Sequence, residues 1–345
     1  MRYFIRVKKR TRHIILLRFS AIGDVAIGAP LIREYAGANP DIKFTIVSQP
    51  RLEPLFSGVD NLNFFPVDFK KKYKGFKGLT KLFLELSRLE PTDIADLHNV
   101  TRTWVLRSYF FFTFKRIAFI HKGRFEKAKL TRKRNKVLKQ LPSTISRYEK
   151  VLVKLGLKDL NFSGRVNKPF SVKRVKYFKI GIAPFAKHKG KSWPFEYIEE
   201  VVAALSKEGH YSIFLFGGGK VEENMLHAIE QRYSGVQSVA GKYSLREELE
   251  IIKDLDMMLS MDSANMHLAS FVGVPVISIW GATHPYAGFY GWNQSPDNAV
   301  QIEMECRPCS VFGNKKCFRG DYACLLNIKP QLVLNKIEEL TSGEV

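Results

Sequence analysis

Residues 13–48 read HIILLRFSAIGDVAIGAPLIREYAGANPDIKFTIVS. An apolar run from Ile14 to Leu17 closes on Arg18. A loop of mostly small residues follows, Ser20-Ala21-Ile22-Gly23-Asp24, and then a helix-like stretch to about Tyr35. Asn39-Pro40-Asp41 is a turn. Ile42 to Ser48 (IKFTIVS) is mostly apolar and rich in β-branched residues and reads as a buried strand. Strand, loop, helix and strand in that order make a parallel α/β unit, because parallel strands need a crossover.

Outward from this unit the pattern continues. Leu79 to Leu89 reads as helix and Asp93 to Leu97 as a short strand. Ser143 to Leu155 is helical, with Gly156 as its stop. Residues 161–176 are polar, contain Gly and Pro, and read as a linker. The alternation then restarts. Phe178–Ala183, Tyr211–Phe216, Met257–Ser260 and Val274–Trp280 are strands. Pro194–Gly209, Glu222–Tyr233, Leu245–Leu255 and Ser263–Val272 are helices. The expectation is an α/β chain of two doubly wound domains, 1–165 and 175–330, closed by a helix over 331–345.

The 345 residues include 55 Lys/Arg and 33 Asp/Glu, a net charge of +22. Residues 1–160 carry 34 and 13 of these, or +21, and residues 161–345 carry 21 and 20, or +1. At 45% hydrophobic and 26% charged the composition is globular, which excludes a disordered chain or a small disulfide scaffold. The first half is built to meet something anionic. The opening residues lack an apolar run of the ~7–15 residues an export signal needs, and no stretch is long enough to span a bilayer. Four cysteines without such a signal point to reduced thiols in the cytoplasm. Residues 109–114 (YFFFTF), bracketed by Arg107 and Lys115, are the most apolar stretch. Residues 121–140 are the densest basic run and are either a solvated loop or helix face or a surface that meets the anionic partner.

Five constellations carry chemistry. Gly23-Asp24 follows the first strand: Gly23 permits a tight turn, and Asp24 is either a general base at the crevice or a helix cap. Asp262, Ser263, Ala264 and His267 also follow a strand and open a helix, where backbone N–H groups favour a phosphate. Lys191 and Ser192 lie in a lysine-rich loop suited to a pyrophosphate. Gly217-Gly218-Gly219-Lys220 fails the P-loop spacing, with Val221 at the Ser/Thr place. It also fails the dinucleotide fingerprint, with Glu222 at the last Gly. Gly217 and Gly218 still form a loop that a ligand can approach, and Glu222 or Glu223 could accept bonds from a ribose. Cys306, Cys309, Cys317 and Cys324 match a zinc knuckle only in part. A structural zinc clip and plain thiols both stay open, while four thiolates would leave no position for a catalytic metal.

Taken together these segments resemble the lipopolysaccharide heptosyltransferase family, glycosyltransferase family 9. The resemblance runs through residues 14–30 (IILLRFSAIGDVAIGAP), 93–102 (DIADLHNVTR), 147–157 (RYEKVLVKLGL), 191–194 (KSWP) and 261–284 (MDSANMHLASFVGVPVISIWGATH), the Asp262 segment being the most specific. It implies two Rossmann-like domains facing a cleft, the GT-B type. It further implies an inverting transfer, needing no metal for chemistry, from a nucleotide sugar such as ADP-heptose to the phosphorylated inner core of lipopolysaccharide. Asp24 would be the base. Lys191, Ser192, Glu222, Asp262, Ser263, Ala264 and His267 would hold the donor, and Arg102 would meet the acceptor. The partners implied are a nucleotide sugar, an anionic glycolipid and the inner leaflet of the inner membrane, with the protein peripheral to it. Ala264 in place of the usual Gly and Ile27 in place of a His leave room for another donor sugar. A nucleic-acid-binding protein is the main rival, but residues 121–140 offer only Phe125 for stacking and no recognised module is visible. A dinucleotide oxidoreductase lacks its glycine fingerprint, and the retained Asp24 argues against an inactive relative.

Overall fold

The computed structural model describes residues 11–162 and 177–342. Residues 163–176, which hold most of the expected linker, lie outside the described residues. The chain divides into two compact units. Unit 1 contains residues up to Ala21, Gly28–His121 and Ser146–Phe162; unit 2 contains Ile22–Ile27, Lys122–Ile145 and the remainder.

Unit 1 is built on a parallel sheet of β1 (His13–Leu17), β2 (Lys43–Ser48), β3 (Leu62–Pro66), β4 (Asp93–Asp96) and β5 (Arg116–Phe119), in the order β3-β2-β1-β4-β5. Ile14 to Leu17 are fully buried, which is why the central strand is an unbroken apolar run. Helices α1 (Ile22–Gly37), α2 (Gly75–Ser87) and α3 (Thr101–Phe111) make the crossovers. Leu82, Leu86, Leu106 and Phe110 pack with Ile15, Leu17, Val47 and Ile94 as one core.

Two further helices follow, α4 (Arg124–Thr131) and α5 (Thr144–Lys154). The first lies within the basic run. The whole segment 122–145 groups with unit 2 rather than with the first half of the chain, as does the first turn of α1. Packing is the reason for the segment: Leu130 and Leu141 form an apolar cluster with Ala287, Tyr286 and Phe289. The Leu141 and Thr144 amides donate to the carbonyls of Tyr286 and Gly288 at 2.9 and 2.8 Å.

Unit 2 has a second parallel sheet of β6 (Phe178–Ala183), β7 (Tyr211–Leu215), β8 (Val236–Ser238), β9 (Met257–Met261), β10 (Val276–Ile279) and β11 (Ala299–Val300), in the order β11-β10-β9-β6-β7-β8. Its helices are α6 (Phe195–Glu208), α7 (Lys220–Arg232), α8 (Leu245–Lys253), α9 (Ala264–Val272), α10 (Ala323–Leu326) and α11 (Pro330–Ser342). Ser244 caps α8 in a box with Glu247, whose carboxylate accepts the Ser244 amide at 2.8 Å. Gly209 and Gly273, at φ 71° and 83°, end α6 and α9 where a side chain would be strained. The strands missed in the sequence, β3, β5, β8 and β11, are short or polar, and each is an edge or near-edge strand.

Candidate functional site

In a doubly wound sheet, ligands bind outside the carboxyl ends of the strands where the order reverses. In unit 2 that point lies between β6 and β9. The loop after β6 carries Lys191 in a single 3-10 turn, Lys189–Lys191. The loop after β9 carries Asp262 and then Ser263, the N-cap of α9. The Lys191 ammonium lies 2.8 Å from Asp262 Oδ2, and both side chains are largely buried. Gly190 presses this turn against the loop at Gly313: its carbonyl accepts the Ala282 amide at 2.8 Å, and its amide donates to Gly313 at 3.3 Å. The ion pair therefore stands on a braced turn at the mouth of the crevice, beside the N–H groups of α9.

His267, one turn into α9, is 6% exposed. Burial lowers its pKa to about 4, opposed by the charges of Asp262 and Asp24 and assisted by Lys191. The imidazole is accordingly neutral, and its Nδ1 has no partner among the described residues. Against this ring lies the first turn of α1. A Cβ on Gly23 would come within 3.2 Å of His267 Cδ2 and 3.4 Å of Ala264 Cα. Gly23 is thus a close-approach residue between the first turns of two helices. Asp24 follows it, half-buried and close enough for its charge to act on His267. Residues 24, 191, 262, 263, 264 and 267 are in this way assembled around one crevice in unit 2.

The remaining expected donor residues stand differently. Ser192 Oγ donates within its own loop, to the carbonyls of Ala186 and His188 at 3.3 and 3.2 Å. The Glu222 carboxylate accepts the Gly218 amide at 2.9 Å, and Glu223 accepts Gly219 at 3.2 Å, so both serve the start of α7. Gly217 has a packing role, since a Cβ there would meet Leu226 at 2.9 Å; Gly218 faces open space.

Unit 1 has its own reversal between β1 and β4. Asp96, at the end of β4, accepts the amides of His98 and Asn99 at 2.9 and 2.7 Å and pairs with Arg107. Phe19 lies against Phe69 and His98. Arg102 is exposed, its guanidinium 4.8 Å from the centre of the Phe69 ring. His98 lies in the segment 93–102 that carries the family resemblance, whereas Phe69 has no sequence signal of its own, because β3 before it is not legible as a strand.

The four cysteines carry free thiols and line one cavity of about 10 Å³. Burial raises the Cys324 thiol to about 11 and also raises Cys309. Among the described residues no three metal-ligating side chains converge well enough to hold an ion. Arg307, beside them, is buried. Its guanidinium donates to the carbonyls of Gly281, Trp280, Thr283 and Ile302, which ties down the end of β10.

A family model described as glycosyltransferase family 9 (heptosyltransferase) matches residues 110–317, more than half of the chain. The chain is 25% identical over 197 residues to lipooligosaccharide heptosyltransferase 2 of Campylobacter jejuni, a match covering 55% of this chain and 60% of that protein. The match thus spans about three fifths of that relative's length. Among solved structures, the glycosyl transferase family 9 protein of Veillonella parvula is 18% identical with a TM-score of 0.73, covering 96% of this chain and 98% of that one. The E. coli heptosyltransferase WaaC with ADP is 18% identical with a TM-score of 0.67, covering 95% and 99%. Likeness at this identity establishes the fold class: two parallel-sheet α/β units of the GT-B type.

Proposed function

The chain belongs to glycosyltransferase family 9, and on that premise we propose that it transfers a heptose from ADP-heptose to the inner core of lipopolysaccharide, inverting the anomeric centre without a catalytic metal. The observation that carries this is the Lys191–Asp262 pair at the strand-order reversal, 2.8 Å apart beside the N-terminus of α9. A diphosphate suits that place: the Lys191 ammonium and the first N–H groups of α9 stand there, with Ser263 Oγ 3.2 Å from Ser260 Oγ. Asp24 stands close to the same crevice and takes the proton. The acceptor oxygen bonds to the anomeric carbon, the bond from that carbon to the diphosphate oxygen breaks, and the acceptor proton passes to the Asp24 carboxylate. Lys191 and the helix end receive the charge that grows on the departing diphosphate. His267, neutral at working pH, contributes a hydrogen bond rather than a charge.

The acceptor is an anionic glycolipid, and the protein works at the inner face of the inner membrane. Among the described residues no helix is long and apolar enough to cross a membrane; the reading takes contact with the bilayer as peripheral. The basic segment 122–139, grouped by its contacts with unit 2, offers cations to the acceptor's phosphates. Asp24→Ala tests the reading. With ADP-heptose and a core acceptor, kcat falls ~10²–10⁴-fold while ADP affinity holds. Near-full turnover would remove the base assignment, and no response to any nucleotide sugar would remove the function.

A further inference from the structure

Helices α2 and α3 meet through Phe83, which packs on Tyr109 and Phe110 at ring distances of 5.1 and 5.0 Å. Thr80 Oγ lies 3.1 Å from the Tyr109 hydroxyl. This contact uses the inward faces of both helices and leaves four phenyl rings outside: Phe76 is 67% exposed, Phe111 68%, Phe112 76% and Phe114 97%. They lie on α2 and at the end of α3, the two helices that pack together. Phe76 meets the edge of Tyr109 at 6.1 Å, and Phe111 meets Phe112 at 5.8 Å. Phe114 is held at φ 55°, a conformation that disfavours bulky residues, yet its ring gains no burial in the fold.

The surroundings are cationic. Residues 70–81 (KKKYKGFKGLTK) contain six lysines and no acid. All six are exposed, and among the described residues only Lys72 bonds a carboxylate, Glu85 at 2.8 Å. Lys115 follows the last phenylalanine. Protein interfaces are depleted in lysine. Exposed aromatic rings rimmed by lysines, all but Lys72 without a carboxylate partner among the described residues, are instead the composition of a surface that lies in the headgroup layer of an anionic bilayer.

We propose that the rings of Phe76, Phe111, Phe112 and Phe114, with the lysines of 70–81, form the surface by which this protein docks on an anionic lipid bilayer. The rings enter the boundary between headgroups and acyl chains, and the lysines meet lipid phosphates. This deepens the reading of a membrane-held acceptor. It is tested without sugar nucleotide, so the two can fail separately.

The experiment is sedimentation of the full chain with vesicles of phosphatidylcholine, alone or with about one third phosphatidylglycerol. The expected result is binding only to the anionic vesicles. Phe112→Ser/Phe114→Ser and Lys74→Glu/Lys77→Glu should each lower the partition about tenfold or more, with unchanged melting temperature, since the replaced side chains are exposed. Lys207→Glu/Lys253→Glu, an equal charge change at exposed lysines of unit 2, should retain binding. Equal partition of wild type and the phenylalanine variant overturns the proposal, as does equal binding to neutral vesicles. Self-association, or binding of single-stranded nucleic acid, that the phenylalanine variant abolishes while vesicle binding survives would assign the surface to that partner and overturn it too.

Discussion

Lys191 and Asp262 stand 71 positions apart in sequence and 2.8 Å apart in space. Each residue was legible as a candidate from its own loop, because each follows an apolar strand and precedes a helix. Their pairing was not legible, since nothing local records which strands lie side by side. The pair gives a stability prediction. Lys191→Met leaves the carboxylate of Asp262, itself 4% exposed, without its ammonium, at a cost of about 3 kcal/mol. Adding Asp262→Asn should recover part of that loss, a coupling read from urea unfolding of the single and double variants. If the two single losses simply add, the ion pair is not what holds the loops together. His267 gives a pH prediction. Its pKa is about 4 in the fold against ~6.5 unfolded. Between those values the unfolded chain binds more protons, so stability falls as pH falls from about 6.5 to 4, by up to ~3 kcal/mol. His284, also lowered to about 4 by burial, and His13, lowered in the same direction, act with the same sign. Melting curves of His267→Gln across that range should therefore show a shallower slope than wild type, not a flat one; an identical slope would place the proton elsewhere. Ser192 and Glu222 show where residue-level reading stops. Their types suit a ligand, but their polar atoms already serve backbone groups nearby.

At the scale of elements, the central strands were the most legible. Parallel strands covered on both faces are mostly apolar: residues 14–17 are wholly so, and residues 44–47 and 178–183 are so but for Thr45 and Lys179. The edge of unit 1 was not: β3 (LNFFP) and β5 (RIAF) mix polar and apolar residues because one side meets no further strand. Helix α4 was hidden for another reason. Its sequence, RFEKAKLT, buries only Lys127, Leu130 and Thr131, so charge masks its period. The turn Lys189–Lys191 shows how an element positions a side chain. A Cβ on Gly190 would lie 2.8 Å from the Gly313 carbonyl oxygen and 2.9 Å from Ala282 Cβ. One of these contacts is backbone, so the turn itself must move. Gly190→Ala should cost about 1–3 kcal/mol and draw Lys191 away from Asp262, weakening ADP binding in titration calorimetry. Unchanged ADP affinity would show that the turn does not place the lysine.

At the scale of the whole molecule, charge was legible and its address was not. The excess of +21 in residues 1–160 looked like the property of one domain. The contacts divide it: residues 122–145, with nine Lys/Arg and one acid, group with unit 2, while the lysines of 70–81 stay with unit 1. No count along the chain could reveal this, because segment 122–145 is claimed by residues 284–289. That return across the sequence has a consequence in time. As the chain is synthesised, residues 122–145 leave the ribosome long before Tyr286 and Gly288, the acceptors of the Leu141 and Thr144 amides. At ~5–20 residues per second the segment waits roughly 7–30 s for its docking partner. Its apolar residues, Leu130 and Leu141, stay exposed through that interval among closely spaced trypsin sites. Nascent chains arrested before residue 284 should be cut by trypsin within 122–140, and chains released past residue 289 should resist. Equal resistance at both lengths would mean that the segment finds shelter before its partner exists.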